Sequence, residues 1–231
     1  MEPDRAEHRG SRQLKGVEAR SGRGVGRALS AFGLTVAVLH HVGAVPVSWL
    51  GTVGPTRWTD WLDLITPYCV LASAAAVLLA AGTSRRSWLM AGVAGVLYTQ
   101  GHGLHLAANS VNNRLDDDSV HLWDEIVGHA LWYAGLALLV IVLARALVTC
   151  PLTVRRWGWI LAGAFGLTVA TNALEGGTAV QTLAVAVGMC LWTRWLPAPL
   201  SRLLLVTYGL GALVLLGYGI RYGGWPQPSS R

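Results

Sequence analysis

Charge is what this chain of 231 residues has least of. Only 13% of it is Asp, Glu, Lys or Arg, against 53% hydrophobic residues. An ordinary soluble domain needs about a quarter charged residues, so that class is excluded. Cysteine is scarce as well. Cys69, Cys150 and Cys190 stand far apart without metal-type spacing and read as packing residues. No ferredoxin-like cysteine set, CxxCH haem-attachment sequence or glycine-rich dinucleotide fingerprint is present. A redox reaction would therefore draw its electrons from a separate protein, a quinone or the substrate itself. An internal repeat of the transporter kind is also missing.

What fills the chain instead is a series of apolar blocks, at about 28–50, 61–82, 88–108, 122–144, 157–174, 178–196 and 200–220. A helix rises about 1.5 Å per residue, so blocks of roughly 18 or more residues cross a hydrocarbon layer about 30 Å thick. The expectation is an all-α, polytopic bundle of seven transmembrane helices.

Basic residues stay on the cytoplasmic side of spans. With the N-terminus inside, Arg5, Arg9, Arg12, Lys15, Arg20, Arg23, Arg27, Arg85, Arg86, Arg145, Arg155, Arg156, Arg194 and Arg202 are cytoplasmic. These are 14 of the 18 basic residues; Arg57, Arg114, Arg221 and Arg231 fall outside. The pattern implies N-terminus in and C-terminus out, in a multi-pass protein of the cell membrane, a bacterial plasma membrane by expectation. The net charge of +6 follows from this topology and implies the lipid bilayer as partner, with no nucleic acid.

Residues 1–27 are polar, Arg- and Gly-rich and without apolar period, which predicts a disordered basic cytoplasmic tail. Residues 28–222 form the seven-span domain and 223–231 a short flexible tail. The first apolar block is too long for a signal-peptide core and reads as a retained span. Trp49, Trp58, Trp61, Trp123 and Trp225 fall at the outer boundary and Trp88, Trp157, Trp159, Trp192 and Trp195 at the inner, an aromatic belt. Gly92, Gly95, Gly209 and Gly211 read as positions of close helix approach.

Against this background the intramembrane polar residues are lopsided. His40, His41, Asp60, Asp63, Tyr98, Gln100, His102, His105, Asn109, Asn112, His121, Asp124, Glu125, His129, Asn172, Glu175, Gln181, Tyr218 and Tyr222 all belong to the outer half of their blocks. Ionisable groups in hydrocarbon cost at least about 2.5–3.5 kcal/mol near its centre, so a crowd of them needs partners or a cavity. His102, His105, Asn109 and Asn112 fall on one helical stripe, and His121, Glu125 and His129 on another. The two helices are joined by a short acidic turn, so the stripes face one another.

Neutral imidazoles with a carboxylate suit Zn, Fe, Cu or Mn, and a cation offsets the crowded carboxylates. The expected metal ligands are His102, His105, Glu125 and His129, with His41, or failing that His40, from the first span. Asp124, Glu175 and Asp63 compete for the role of catalytic acid or base. His40, Tyr98, Gln100, Asn109 and His121 are expected to hydrogen-bond the metal ligands or contact the substrate. Each element has a plainer reading: HxxH and ExxxH pairs can be hydrogen-bonding pairs, Asp116–Asp118 a solvated loop, and Asp60 a helix cap.

Three family comparisons bear on this. GHGLHLAANS (101–110) and WDEIVGHALW (123–132) carry HGxHxxAN and WDExxxH motifs that resemble a group of poorly characterised prokaryotic polytopic membrane proteins, a resemblance that implies membrane location and no particular activity. Seven spans with a histidine and acid cluster are distantly similar to ceramidase and progestin-receptor-like membrane hydrolases. Those carry an HxxxH pair late in the chain, where this sequence has no histidine. Membrane fatty-acid desaturases carry more histidines, in HxxxH and HxxHH boxes, on the cytoplasmic side, unlike this chain.

Four functions fit such a pocket. Foremost is a nonhaem iron oxidoreductase, with one or two irons, that hydroxylates, desaturates or oxidises a heteroatom of a small or lipophilic substrate. The others are a zinc-dependent hydrolase, a haem protein passing electrons to a quinone, and a metal-free transporter.

Overall fold

The computed structural model describes residues 4–42, 47–54, 56–112 and 117–228, with side-chain surroundings from residue 22 onward. Within these residues the fold is all-helical apart from one two-residue hairpin. Helix α1 (Asp4–Leu39) is continuous. The basic segment expected to be a disordered tail is its first part, because Arg, Ala, Glu, Gln, Leu and Lys are strong helix formers that extend a helix already nucleated. After α2 (Val47–Leu50) the hairpin β1 (Thr52–Val53) and β2 (Thr56–Arg57) leads into α3 (Trp58–Asp63) and α4 (Thr66–Ala81). Pro67, in the first turn of α4, lacks the N–H that an unbroken helix would need there. Asp60 does not cap α3: Arg57 donates to its carboxylate at 2.6 Å.

Helix α5 (Arg85–Asn112) is followed by α6 (Asp118–His121), whose N-cap Asp117 accepts from the N–H groups of Ser119 and Val120. A π-helical segment, Leu122–Gly128, runs without interruption into α7 (His129–Leu147). Helices α8 (Arg156–Glu175), α9 (Ala179–Trp192) and α10 (Ala198–Tyr222) complete the bundle.

Among the described residues, four helical stretches are long and apolar enough to cross a membrane: Trp58–Ala81, Asp118–Leu147, Arg156–Glu175 and Ala198–Tyr222. Seven were expected, and each shortfall has a reason. α9 has 14 residues and gives way to a 3-10 turn, Thr193–Trp195. The C-terminal half of α5 is diluted by Gln100, His102, His105 and Asn109, and α1 is charged over its N-terminal half. The outward faces nevertheless match a lipid environment: Leu79, Val96, Leu213 and Ile220 are each more than 60% exposed.

Helix α1 packs between α4 and α8, and α10 lies against α8 and α9. The most intimate pair is α5 with α7, because glycines remove the side chains between them. A β-carbon at Gly101 would strike the backbone of Trp132 and Gly128, one at Gly128 the backbone of His105, and one at Gly135 that of Tyr98. Helices this close are the small-residue packing that membrane bundles use. Of the glycines expected at close approaches, Gly95 abuts Leu71 and Gly211 abuts Gly166, whereas Gly92 and Gly209 face open space. Gly135→Val will therefore lower the unfolding temperature in detergent, with an overpacking cost of at least about 1–3 kcal/mol. Gly92→Ala, the control in open space on α5, will not lower it, because alanine favours a helix interior over glycine.

Candidate metal centre

The π-helical segment is what assembles the site. In an α-helix residue i+4 sits over residue i; the wider π turn brings i+5 there instead. His129 Nδ1 donates to the Asp124 main-chain carbonyl at 3.0 Å, which fixes the tautomer and leaves the lone pair on Nε2. The Asp124 carboxylate, on a residue only 1% exposed, accepts from His105 Nδ1 of α5 at 2.6 Å. The His105 and His129 rings lie 4.3 Å apart. One donor atom from each of His105, Asp124 and His129 falls within 4.8 Å of the others. Two ligands about 2.1 Å from one ion at a right angle are themselves about 3 Å apart, so small adjustments suffice for all three to share an ion. Gly176, beyond the end of α8, closes the far side, where a β-carbon would collide with the His129 ring.

Trp132 stands at the middle of the histidines. Its indole is 5.4 Å from the His40 ring, 4.8 Å from His102, 5.6 Å from His105 and 5.5 Å from His129. It separates the donor triad from a second polar group. There, His40 Nδ1 donates to the Val36 carbonyl at 2.9 Å, and its Nε2 accepts from the Tyr98 hydroxyl at 2.8 Å. His102 Nε2 lies 3.5 Å from an Asp63 carboxylate oxygen. That contact is too loose for a good hydrogen bond, and both ring nitrogens of His102, which is 1% exposed, are without an ordinary partner.

The expected site residues are thus divided. His105 and His129 meet, with Asp124 rather than Glu125 between them, because the π turn rotates Asp124 inward. Glu125 is half-buried beside the triad, 3.6 Å from His129 Nδ1, and accepts from Gln227 at 3.1 Å. His102 and Asp63 occupy the other side of Trp132. His41 is not among the residues brought together: it is exposed and its Nε2 contacts the Thr168 hydroxyl at 3.1 Å. α1 ends at Leu39, and the turn that follows sends His40 inward and His41 toward α8. His40 is itself committed at both ring nitrogens. Gln100 and His121 are exposed and Asn109 is half-buried on α5; Glu175 is exposed at the end of α8, its main-chain carbonyl accepting from Gln227. Asp116 lies outside the described residues, and so does the side chain of Asn112. Residues 223–228, expected to be flexible, fold back: Trp225 Nε1 donates to the Leu215 carbonyl at 2.7 Å, and Gln227 bridges Glu125 and α8.

Sequence reasoning missed Trp132, although it is the one tryptophan of 11 that the expected aromatic belt does not take up. It also missed Gly101, Gly128 and Gly176, whose missing side chains let the histidines approach. No protein-family model, no curated protein and no solved structure matches this chain.

Proposed function

We propose that the chain is an integral-membrane, metal-dependent oxidoreductase in which iron, held by His105, Asp124 and His129, serves the hydroxylation, desaturation or heteroatom oxidation of a small or lipophilic substrate. The convergence of two imidazoles and a buried carboxylate within 4.8 Å carries this reading. Two histidines and one carboxylate bind one side of an ion and leave positions open, the ligand set of nonhaem iron oxygenases. His102 with Asp63 offers a position for a second iron across Trp132. Electrons would come from a separate redox partner or a quinone. The proposal includes seven spans with the N-terminus inside, α1, α5 and α9 completing the four strongly apolar stretches; the basic-residue distribution supports it.

Glu125 favours a second reading, a zinc hydrolase. Its half-buried carboxylate, close to the donor triad and accepting from Gln227 at 3.1 Å, supports this reading as the base that a metal-activated water requires. Haem ligation by His105 and His129 is disfavoured, because their rings are 4.3 Å apart on helices in backbone contact, which leaves no room for a macrocycle.

Metal analysis of the detergent-purified protein with its visible spectrum tests the proposal. One or two irons per chain without a Soret band is the expected result. One zinc selects the hydrolase, and a Soret band selects the electron-transfer protein. Metal-free protein that transports a solute defeats all three.

A further inference from the structure

A cavity of about 160 Å³ lies between α7 and α9, lined among others by Ala130, Tyr133, Ala134, Leu136, Thr178 and Thr182. Its wall is apolar except for the Gln181 amide at the mouth and the hydroxyls of Tyr133, Thr178, Thr182 and Tyr208, and those of Tyr133, Thr178 and Thr182 are buried without a hydrogen bond of ordinary geometry. Thr178 is 3% and Thr182 6% exposed. A helical threonine ordinarily satisfies itself on the carbonyl four residues back, as Thr207 and Thr171 do here on Leu203 and Leu167. Thr182 has the carbonyl of Thr178 in that position and does not use it. Tyr133 and Thr178 have only a loose contact with each other and Thr182 has no partner among the described residues; buried hydroxyls so poorly satisfied are costly, and their position around one cavity marks a place made for a polar atom that arrives from outside.

The cavity adjoins the metal centre. The Tyr133 ring stacks on that of His129 at 6.1 Å and 17°, and Thr178 is two residues beyond Gly176, which presses on the same imidazole. On the opposite side Ala130, Ala134, Gln181 and Val185 are exposed, so the mouth opens on the outer surface of the bundle, where lipid lies. A 150 Å³ apolar cavity accommodates benzene, which sets the occupant at about one ring with a short substituent.

We propose that this cavity is a binding site for a compact lipophilic molecule, roughly one ring in size, that carries a carbonyl or similar acceptor oxygen and enters from the bilayer. Thr178 and Thr182 donate to that oxygen, and Tyr133 donates to the Thr178 hydroxyl. Its role as the substrate site rests on the reading of His105, Asp124 and His129 as the reacting centre; the binding does not.

The test uses 4-fluoroacetophenone as probe, followed by ¹⁹F NMR on the full-length protein in lipid nanodiscs. Empty nanodiscs give the partitioning background. The wild type will show saturable binding above it. The isosteric double variant Thr178→Val with Thr182→Val will weaken binding at least about tenfold, and Ala137→Phe, which fills the lined space, will abolish it. Fluorobenzene, without the acceptor, will bind more weakly than the ketone. Metal content, measured on the same samples, will be unchanged in all variants. Absence of saturable binding in the wild type, or equal affinity in the double variant, overturns the cavity proposal. Retained probe binding in a wild type that carries no metal overturns the metal-centre reading and leaves the cavity standing.

Discussion

Asp124→Asn will strip the protein of its metal. The substitution keeps the size of the side chain and the π turn but replaces a carboxylate at 1% exposure with a neutral amide. Asp124 is the member of the triad hydrogen-bonded to both others: to His105 through its carboxylate at 2.6 Å, to His129 through its carbonyl at 3.0 Å. Loss of an outer-shell partner alone costs about 10–100-fold in metal affinity. A residue that supplies the negative charge and orients a neighbouring imidazole will cost at least the upper end of that range. His129→Ala will behave alike. His41→Ala, remote from the triad, will retain full metal and is the control. Elemental analysis of the purified variants after dialysis against chelator checks this; wild-type stoichiometry in both Asp124→Asn and His129→Ala would remove them from the centre.

Trp132→Ala will be the most destabilising single change. The indole is 4% exposed and is the common neighbour of four histidine rings. Truncating a buried Trp costs about 3–5 kcal/mol, on the order of 10 °C in unfolding temperature for a chain of this size. The loss has a functional side, because the cavity would join the triad to the His102–Asp63 group. Trp132→Phe, which keeps an aromatic wall, will recover part of the stability. Unfolding followed by intrinsic fluorescence in detergent measures both, and an alanine variant as stable as the wild type would show that the indole packs against nothing of consequence.

The difference between what the sequence predicts and what the fold contains follows from the kind of information each residue carries. Apolar length reports helices directly, so the bundle was legible. It reports crossing capacity only where polar residues do not dilute it, and in α5 the dilution comes from the site itself. His102 and His105 both face α7 because α5 is a regular helix, but they flank Trp132 and join different polar groups. The stripe of His121, Glu125 and His129 assumed the same period, and the π-helical segment Leu122–Gly128 shifted it by one residue, exchanging Glu125 for Asp124. Nothing in LWDEIVG announces such a turn. The inward turn of His40 and outward turn of His41 depended on where α1 stopped, and helix ends are the least sequence-determined feature of a fold. The glycines at 101, 128 and 135 were visible as residues, but their closeness required the pairing of α5 with α7.

The central claim is that His105, Asp124 and His129 meet on one ion beneath the outer surface of a membrane bundle. X-ray absorption spectroscopy of the purified protein loaded with one equivalent of iron tests it most directly. The account predicts a first shell of nitrogen and oxygen only, with outer-shell scattering from two imidazoles per ion in the wild type and from one in His105→Ala. A first shell containing sulfur, or outer-shell scattering without imidazole, would contradict it.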